Sequence, residues 1–195
     1  MTLLDLSATG SRRLLHDASG TIDHTPDFLA AETAARWFAQ LQAGVAWRGG
    51  RRVMYEREVD VPRLRAHYRA DDPALPEPLG EALALVRAAT GAPYDSIGLN
   101  LYRDERDSVA PHNDKLADLV EGEPIALLSL GATRRLVIRA KRPPRRVLNV
   151  DLESGSLLVM SWETQLHYDH GVPKERHPTG ARISIALRVR GGAWD

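Results

Sequence analysis

The sequence predicts an α+β fold that is mainly β, an antiparallel sandwich or barrel with helices packed on one side. Three observations predict it. Two stretches in the first half carry apolar residues at helical spacing, and from about residue 95 the apolar period changes to two. The alternating segments are short, at least six in number, and separated by turn residues, with no helical pattern between them. Helices followed by closely spaced strands indicate antiparallel pairing, not a parallel alternating fold.

Taken in order, Thr25-Pro26-Asp27 offers a capping hydroxyl and a proline for a first turn. Phe28, Leu29, Ala31, Ala35, Phe38 and Leu41 follow on one face, predicting a helix over about 27–42. Leu79, Leu83 and Val86 predict a second over 77–90, stopped by Gly91 and Pro93. The region between them, "RRVMYEREVDVPRLRAHYRADDP", is mixed strand and loop. The predicted strands are "SIGLNLY", "IALLSLG", "RLVIRA", "RVLNVDL", "GSLLVMSW" and "RISIALRVR", with Glu153-Ser154-Gly155 as one of the turns. In the last strand Ile183, Ile185, Leu187 and Val189 share a core face, leaving Arg182, Ser184, Ala186, Arg188 and Arg190 on the other. Small side chains between arginines leave room for a bound anion. In 97–102, Gly98, Asn100 and Tyr102 likewise share one face.

At 195 residues the chain is expected to form one domain with a core of its own. Apolar content of 43% and charged content of 27% are those of a soluble globular protein. No apolar run reaches the roughly 20 residues of a membrane span. "MTLLDLSATG" lacks a basic segment followed by an apolar one, so no secretion signal is expected. The absence of cysteine excludes disulfides and thiolate chemistry and fits a cytoplasmic protein. Net charge is zero, yet no acid occurs between Glu123 and Asp151, where Arg134, Arg135, Arg139, Lys141, Arg142, Arg145 and Arg146 crowd together. That stretch fits either solvated strand edges or a phosphate-contacting surface.

His112-x-Asp114 on an extended segment projects both side chains to one side, within reach of one cation. A second histidine would complete a two-histidine, one-carboxylate facial triad, a set that favours non-haem Fe(II). His167, His170 and His177 are the candidates, and spacing does not choose among them. Other chemistries have less support. "GGRR" and "GGAW" lack the strand and helix of a phosphate loop, and no Gly-x-Ser-x-Gly elbow occurs. Nothing singles out two carboxylates for a hydrolase.

Asn100-x-Tyr102, "DSV" at 107–109, His112-x-Asp114, "LSLGATR" at 128–134, "GSLLVMSWETQ" at 155–165, His170-Gly171-Val172-Pro173 and "RISIALR" at 182–188 occur in this order. The combination resembles the AlkB family of 2-oxoglutarate- and Fe(II)-dependent dioxygenases. The resemblance covers about 97–190, and more weakly 45–72 through "VDVPRLRAHY", which looks like the family's nucleotide-recognition lid. It implies a double-stranded β-helix (jelly-roll) core over about 95–190, N-terminal helices packed on one side and a lid over about 45–75. The cofactors implied are Fe(II), 2-oxoglutarate and O2, with His112, Asp114 and His170 as the iron ligands. His170 is chosen because the family's distal histidine precedes a Val-Pro segment. Arg182 would pair with the distal carboxylate of 2-oxoglutarate, Asn100 and Tyr102 would hydrogen-bond it, Ser184 would lie in the same cradle, and Arg188 would support the end near the metal. Tyr55, Tyr68 and Arg139 would contact substrate.

The activity implied is oxidative demethylation of alkylated bases in DNA, with RNA next, releasing formaldehyde, succinate and CO2 from a base flipped into the pocket. No membrane or obligate protein partner is expected, and the protein is expected to be a monomer. This chain departs from the family pattern at Leu116, where many relatives carry a base-contacting acid, at Pro111, and in "RADDPALPEP", where an aromatic run is missing. Alternatives of a different kind are an oxygenase of this fold acting on a protein or small molecule, and a non-catalytic metal- or anion-binding barrel.

Overall fold

In the computed structural model, residues 10–54 and 57–191 are described, without the side chains of 51–60. The chain order is β1 (Arg12–Asp17), β2 (Gly20–Thr25), α1 (Ala31–Gly44), β3 (Arg51–Met54), β4 (Arg57–Asp60), β5 (Leu64–Arg69), α2 (Glu77–Thr90), β6 (Ser96–Tyr102), β7 (Val109–His112), β8 (Ile125–Gly131), β9 (Arg134–Ala140), β10 (Val147–Leu152), β11 (Leu157–Met160), α3 (Thr164–His167), β12 (Tyr168–Val172) and β13 (Arg182–Arg188). A 3-10 turn occupies Leu116–Asp118.

Two antiparallel sheets face each other. The larger runs β1-β2-β11-β8-β13-β6-β5 and the smaller β10-β9-β12-β7, with β3 and β4 forming a separate hairpin. One core lies between the helices and the large sheet, where Trp37 and Leu41 of α1 and Leu79, Leu83 and Val86 of α2 meet Leu99, Leu128, Ile183 and Ile185. The other lies between the sheets, joining Leu127, Tyr102 and Ala186 to Leu136, Ile138, Tyr168 and Val172. Each fully buried Leu or Ile contributes about 1.5–3 kcal/mol, and both cores consist mostly of such residues. Among the described residues no helix is long and apolar enough to cross a membrane.

The second helix runs as the pattern predicts. Proline stands in its first turn, and Gly91 at φ 75° caps it through an amide that donates to the Arg87 carbonyl. The first helix does not begin at Thr25-Pro26-Asp27. Thr25 is the last residue of β2, paired with Leu157 of β11, and helix starts only at Ala31. Sheet pairing takes the backbone of Thr25, so its hydroxyl is not used as a cap. The β1–β2 hairpin also corrects the expected order, because strands precede the first helix.

Candidate metal and anion site

The alternation along β13 and β6 places the site. Arg182 pairs with Tyr102, Ser184 with Asn100 and Ala186 with Gly98, so all six side-chain positions face the space between the sheets. The opposite face carries Ile183, Ile185 and Leu187, packed under the helices. Both faces of β13 are therefore buried, and Arg182 is only 1% exposed. A cavity there is lined by Arg63, Asn100, Tyr102, His112, His170, Arg182, Ser184 and Arg188, with Val109, Leu127, Leu136, Val172 and Ala186 as its apolar wall.

The Arg182 guanidinium donates from Nε to the Ser129 hydroxyl at 2.8 Å, while its Nη1 has no protein partner. Burial, with Arg134 adding to it against the opposing influence of Tyr102, lowers its pKa to about 10. It remains a cation at neutral pH, so its environment favours an incoming anion. Tyr102 lies under it, with the Arg182 and Arg134 guanidinium carbons each 5.4 Å from the ring centroid, and burial pushes its phenol pKa up.

The small sheet supplies the imidazoles. His170 of β12 is directly paired with His112 of β7, and their ring centroids are 4.7 Å apart. His112 Nδ1 lies 2.9 Å from the Ala110 carbonyl, which can only accept. In the neutral ring that contact puts the proton on Nδ1 and leaves the Nε2 lone pair available. Burial, reinforced by His112, lowers the His170 pKa to about 4 although Asp114 opposes this, so His170 is a neutral donor at pH 7.

Asp114 follows β7 and accepts two hydrogen bonds from Arg188, Nε at 2.8 Å and Nη2 at 2.9 Å. Burial pushes its carboxyl pKa up, but the charge and hydrogen bonds of Arg188 outweigh this, with His170 and His112 adding, and the net shift is down. Its amide donates to Gln165 Oε1 at 3.0 Å, and buried Gln165 in turn donates to the Thr164 hydroxyl at 3.1 Å. Two imidazoles, that of His170 neutral, and an ionised carboxylate fit a divalent transition metal in kind. Among the described residues no three His, Asp or Glu side chains already converge on one point. Asp114 is turned to Arg188, and rotation of its carboxylate toward the imidazoles would be needed to close the set.

His112, His170, Asn100, Tyr102, Arg182, Ser184 and Arg188 are brought to one cavity, with Asp114 held at its edge by Arg188. His167 and His177 are not: His167 ends α3, facing a notch beside Lys141 and Arg146, and His177 is exposed. Tyr68 faces away from the cavity, packed against the helix-side core, because strand alternation in β5 turns Leu64, Ala66 and Tyr68 to that side. Arg139 projects to solvent from the face of β9 opposite Leu136 and Ile138. Tyr55 lies outside the described residues.

The sequence reading missed three residues here. Arg63 lines the cavity and donates from Nε to Asn100 Oδ1 at 2.8 Å. It stands in the lid-like "VPRLRAHY", where one arginine among several carries no distinguishing signal. Ser129 lies in "LSLGATR" and Gln165 ends "GSLLVMSWETQ", but nothing in their spacing marks them.

The 2OG-Fe(II) oxygenase superfamily model matches residues 21–188. The alkB homolog 3 dioxygenase of Bos taurus is 32% identical over 194 residues, covering 87% of this chain and 68% of that protein. Its Homo sapiens counterpart is 30% identical with the same coverage. The DNA oxidative demethylase ALKBH2 of Bos taurus is 34% identical over 110 residues, which cover 53% of this chain and 40% of the relative. A Pseudomonas putida prolyl-4-hydroxylase structure shares the fold, with a TM-score of 0.59, 15% identity and 96% of both chains covered. OsALKBH1 does so with a TM-score of 0.58 and 14% identity, over 91% of this chain and all of the other. Fold and sequence together thus define an oxygenase of the jelly-roll type that uses Fe(II), 2-oxoglutarate and O2. Within that class, the chain belongs to the AlkB family of 2-oxoglutarate- and Fe(II)-dependent dioxygenases.

Proposed function

We propose that this enzyme is an oxidative demethylase of alkylated bases in DNA, with RNA as the second substrate. The observation that carries the reading is the pairing of His112 with His170 beside Asp114, at the mouth of a cavity whose deep wall presents an incompletely bonded guanidinium. In this reading His112, Asp114 and His170 hold the iron. Arg182 binds the distal carboxylate of 2-oxoglutarate, and Asn100, Tyr102 and Ser184 orient it. Arg188 holds Asp114 and faces the end nearest the metal. Bound there, iron with 2-oxoglutarate and O2 supplies the oxidising power to hydroxylate one N-methyl group, 2-oxoglutarate leaving as succinate and CO2. The hydroxymethyl product then releases formaldehyde and the unmodified base.

Placing the substrate as nucleic acid draws support from two sources. One is the relatives, among them proteins named for DNA demethylation. The other is the β9–β10 hairpin, where Arg139, Lys141, Arg142, Arg145 and Arg146 all stand exposed, a surface suited to a phosphate chain. Tyr55 and Arg139 remain proposed substrate contacts, Tyr68 is set aside because it turns away from the cavity, and Arg63 joins them because it lines the cavity.

The test is formaldehyde release from 1-methyladenine or 3-methylcytosine in DNA and RNA oligonucleotides, compared with methylated peptides. Release is expected from DNA above RNA and is abolished by His112→Ala in a protein of unchanged circular dichroism. Succinate formation with no formaldehyde from either nucleic acid would overturn the substrate. Activity retained in His112→Ala would overturn the ligand set.

A further inference from the structure

We propose that Arg134 is a positioning residue that holds the two histidine-bearing strands at their working separation. The proposal rests on the reading of His112, Asp114 and His170 as the ligand set.

Arg134 is the first residue of β9, and its side chain is completely buried (0% exposed) between the sheets. A guanidinium in that position is costly unless its donors are met. Here Nη1 and Nη2 are met by backbone carbonyls from two separate segments, while Nε makes no hydrogen bond. Nη1 donates to Asp104 at 3.0 Å, and Nη2 donates to Asp107 at 2.8 Å and to Pro173 at 2.7 Å. Asp104 and Asp107 lie in the loop that feeds β7 and therefore His112. Pro173 is the residue after β12, three beyond His170. One rigid fork thus ties the entry of one histidine strand to the exit of the other, a span that only a planar, multi-donor side chain covers.

The ladder between these strands needs such a tie. Only His170↔His112 and Val172↔Val109 are paired, with a register shift between them. Arg134 closes the ladder at its end beyond Val172 and Val109. Its surroundings are themselves braced: the Asp107 carboxylate accepts from the Arg103 amide at 2.9 Å and from its guanidinium at 2.8 and 2.9 Å. The Glu175 amide donates to the Glu105 carbonyl at 2.9 Å, linking the same two segments again. The Glu175 carboxylate forms an ion pair with Arg134 Nε at 3.5 Å, too long for a good hydrogen bond, so the directional contacts that fix the guanidinium are those to the carbonyls.

The test compares Arg134→Gln and Arg134→Lys with two references, reading the Mn(II) affinity of metal-free protein by the electron paramagnetic resonance of free Mn(II), well below each variant's Tm. Arg87→Gln is the stability reference, since Arg87 also donates to a backbone carbonyl, that of Tyr94, but joins α2 to the loop before β6. His112→Ala is the ligand reference. Arg134→Gln is expected to weaken Mn(II) binding about tenfold, at the low end of what lost outer-shell support costs a metal site. Arg134→Lys, with donors on a single atom, is expected to fall between it and the unaltered protein. Arg87→Gln should lower Tm and leave affinity in place. Unchanged affinity in a folded Arg134→Gln, while His112→Ala loses binding, overturns the proposal. If Arg134→Gln does not fold, unchanged affinity in Arg134→Lys overturns it equally. Unchanged affinity in His112→Ala overturns the ligand assignment, and the proposal with it.

Discussion

The two sheets build opposite halves of one site by different means. The large sheet supplies cations, Arg182 and Arg188, from the polar face of a long, regular strand whose neighbours on both sides are also regular. The small sheet supplies imidazoles, His112 and His170, from β7 and β12, short strands with an irregular register. Asp114 joins the halves, following a small-sheet strand in the chain but held by a large-sheet arginine. The difference teaches that charge can be held by a regular scaffold, because a long arginine adjusts its reach. Paired imidazoles depend instead on how closely two backbones approach, and that has to be set locally.

The largest effect is expected in the cationic half. Arg182→Met removes a buried guanidinium that donates to the Ser129 hydroxyl and whose Nη1 has no protein partner. A hydrogen bond between charged groups contributes about 1.5–3 kcal/mol, so the KM for 2-oxoglutarate should rise roughly 10- to 150-fold. Stability should move little or rise, because a poorly compensated buried cation is replaced by an apolar side chain of similar length. Kinetics at varied 2-oxoglutarate together with a thermal melt check both. An unchanged KM would remove Arg182 from the anion site, and a steep fall in Tm would show that the cation is structural.

Next in size comes the backbone approach in the small sheet. A Cβ on Gly171 would lie 2.8 Å from the Val109 carbonyl oxygen and 3.0 Å from the Pro111 nitrogen, both backbone atoms of β7. Neither can yield without parting β7 from β12, and overpacking of this kind costs about 1–3 kcal/mol. Gly171→Ala should therefore weaken Mn(II) binding roughly 5- to 150-fold and lower Tm. Isothermal titration of the metal-free variant measures it. A folded Gly171→Ala with undiminished affinity would mean that strand contact does not set the imidazole pair.

The same contrast governs what was legible in the sequence. β6 and β13 alternate cleanly and have one apolar face under the helices, so their polar residues fall on a shared face in the sequence itself, whereas β8 is apolar almost throughout and hides Ser129. β1 and β2 were not legible, because a register shift between Arg13 and Leu15 breaks the alternation and polar pairs such as Arg13–Asp23 replace apolar ones. β7, reading Val-Ala-Pro-His, is tolerated as a strand only because it lies at a sheet edge, where Pro111 leaves no ladder bond unmade. β12 carries Gly171, which weakens a strand pattern. The choice of His170 therefore came from resemblance, and it is the β12–β7 pairing that brings that imidazole beside His112. Tyr68 shows the converse limit: the side to which a lid residue turns depends on the phase of β5 against β6, which its neighbours in sequence do not encode.

The smallest effect is expected at Gly98, and it probes the tolerance claimed for the large sheet. A Cβ there would meet Arg188 Nη1 at 3.2 Å and the Ala186 carbonyl oxygen at 3.8 Å. The closer neighbour is the tip of a flexible side chain, which can swing aside for about 0.5 kcal/mol, the low end of the cost of an off-rotamer torsion. Its partner Asp114 can follow, since it sits at the start of an irregular segment. Gly98→Ala should thus change Mn(II) affinity by roughly twofold and leave Tm nearly unaltered. A loss as large as that of Gly171→Ala would show that the arginine clamp on Asp114 is as rigid as the backbone contact between β7 and β12. The cationic half would then owe its function to fixed geometry, in the same way as the imidazole half.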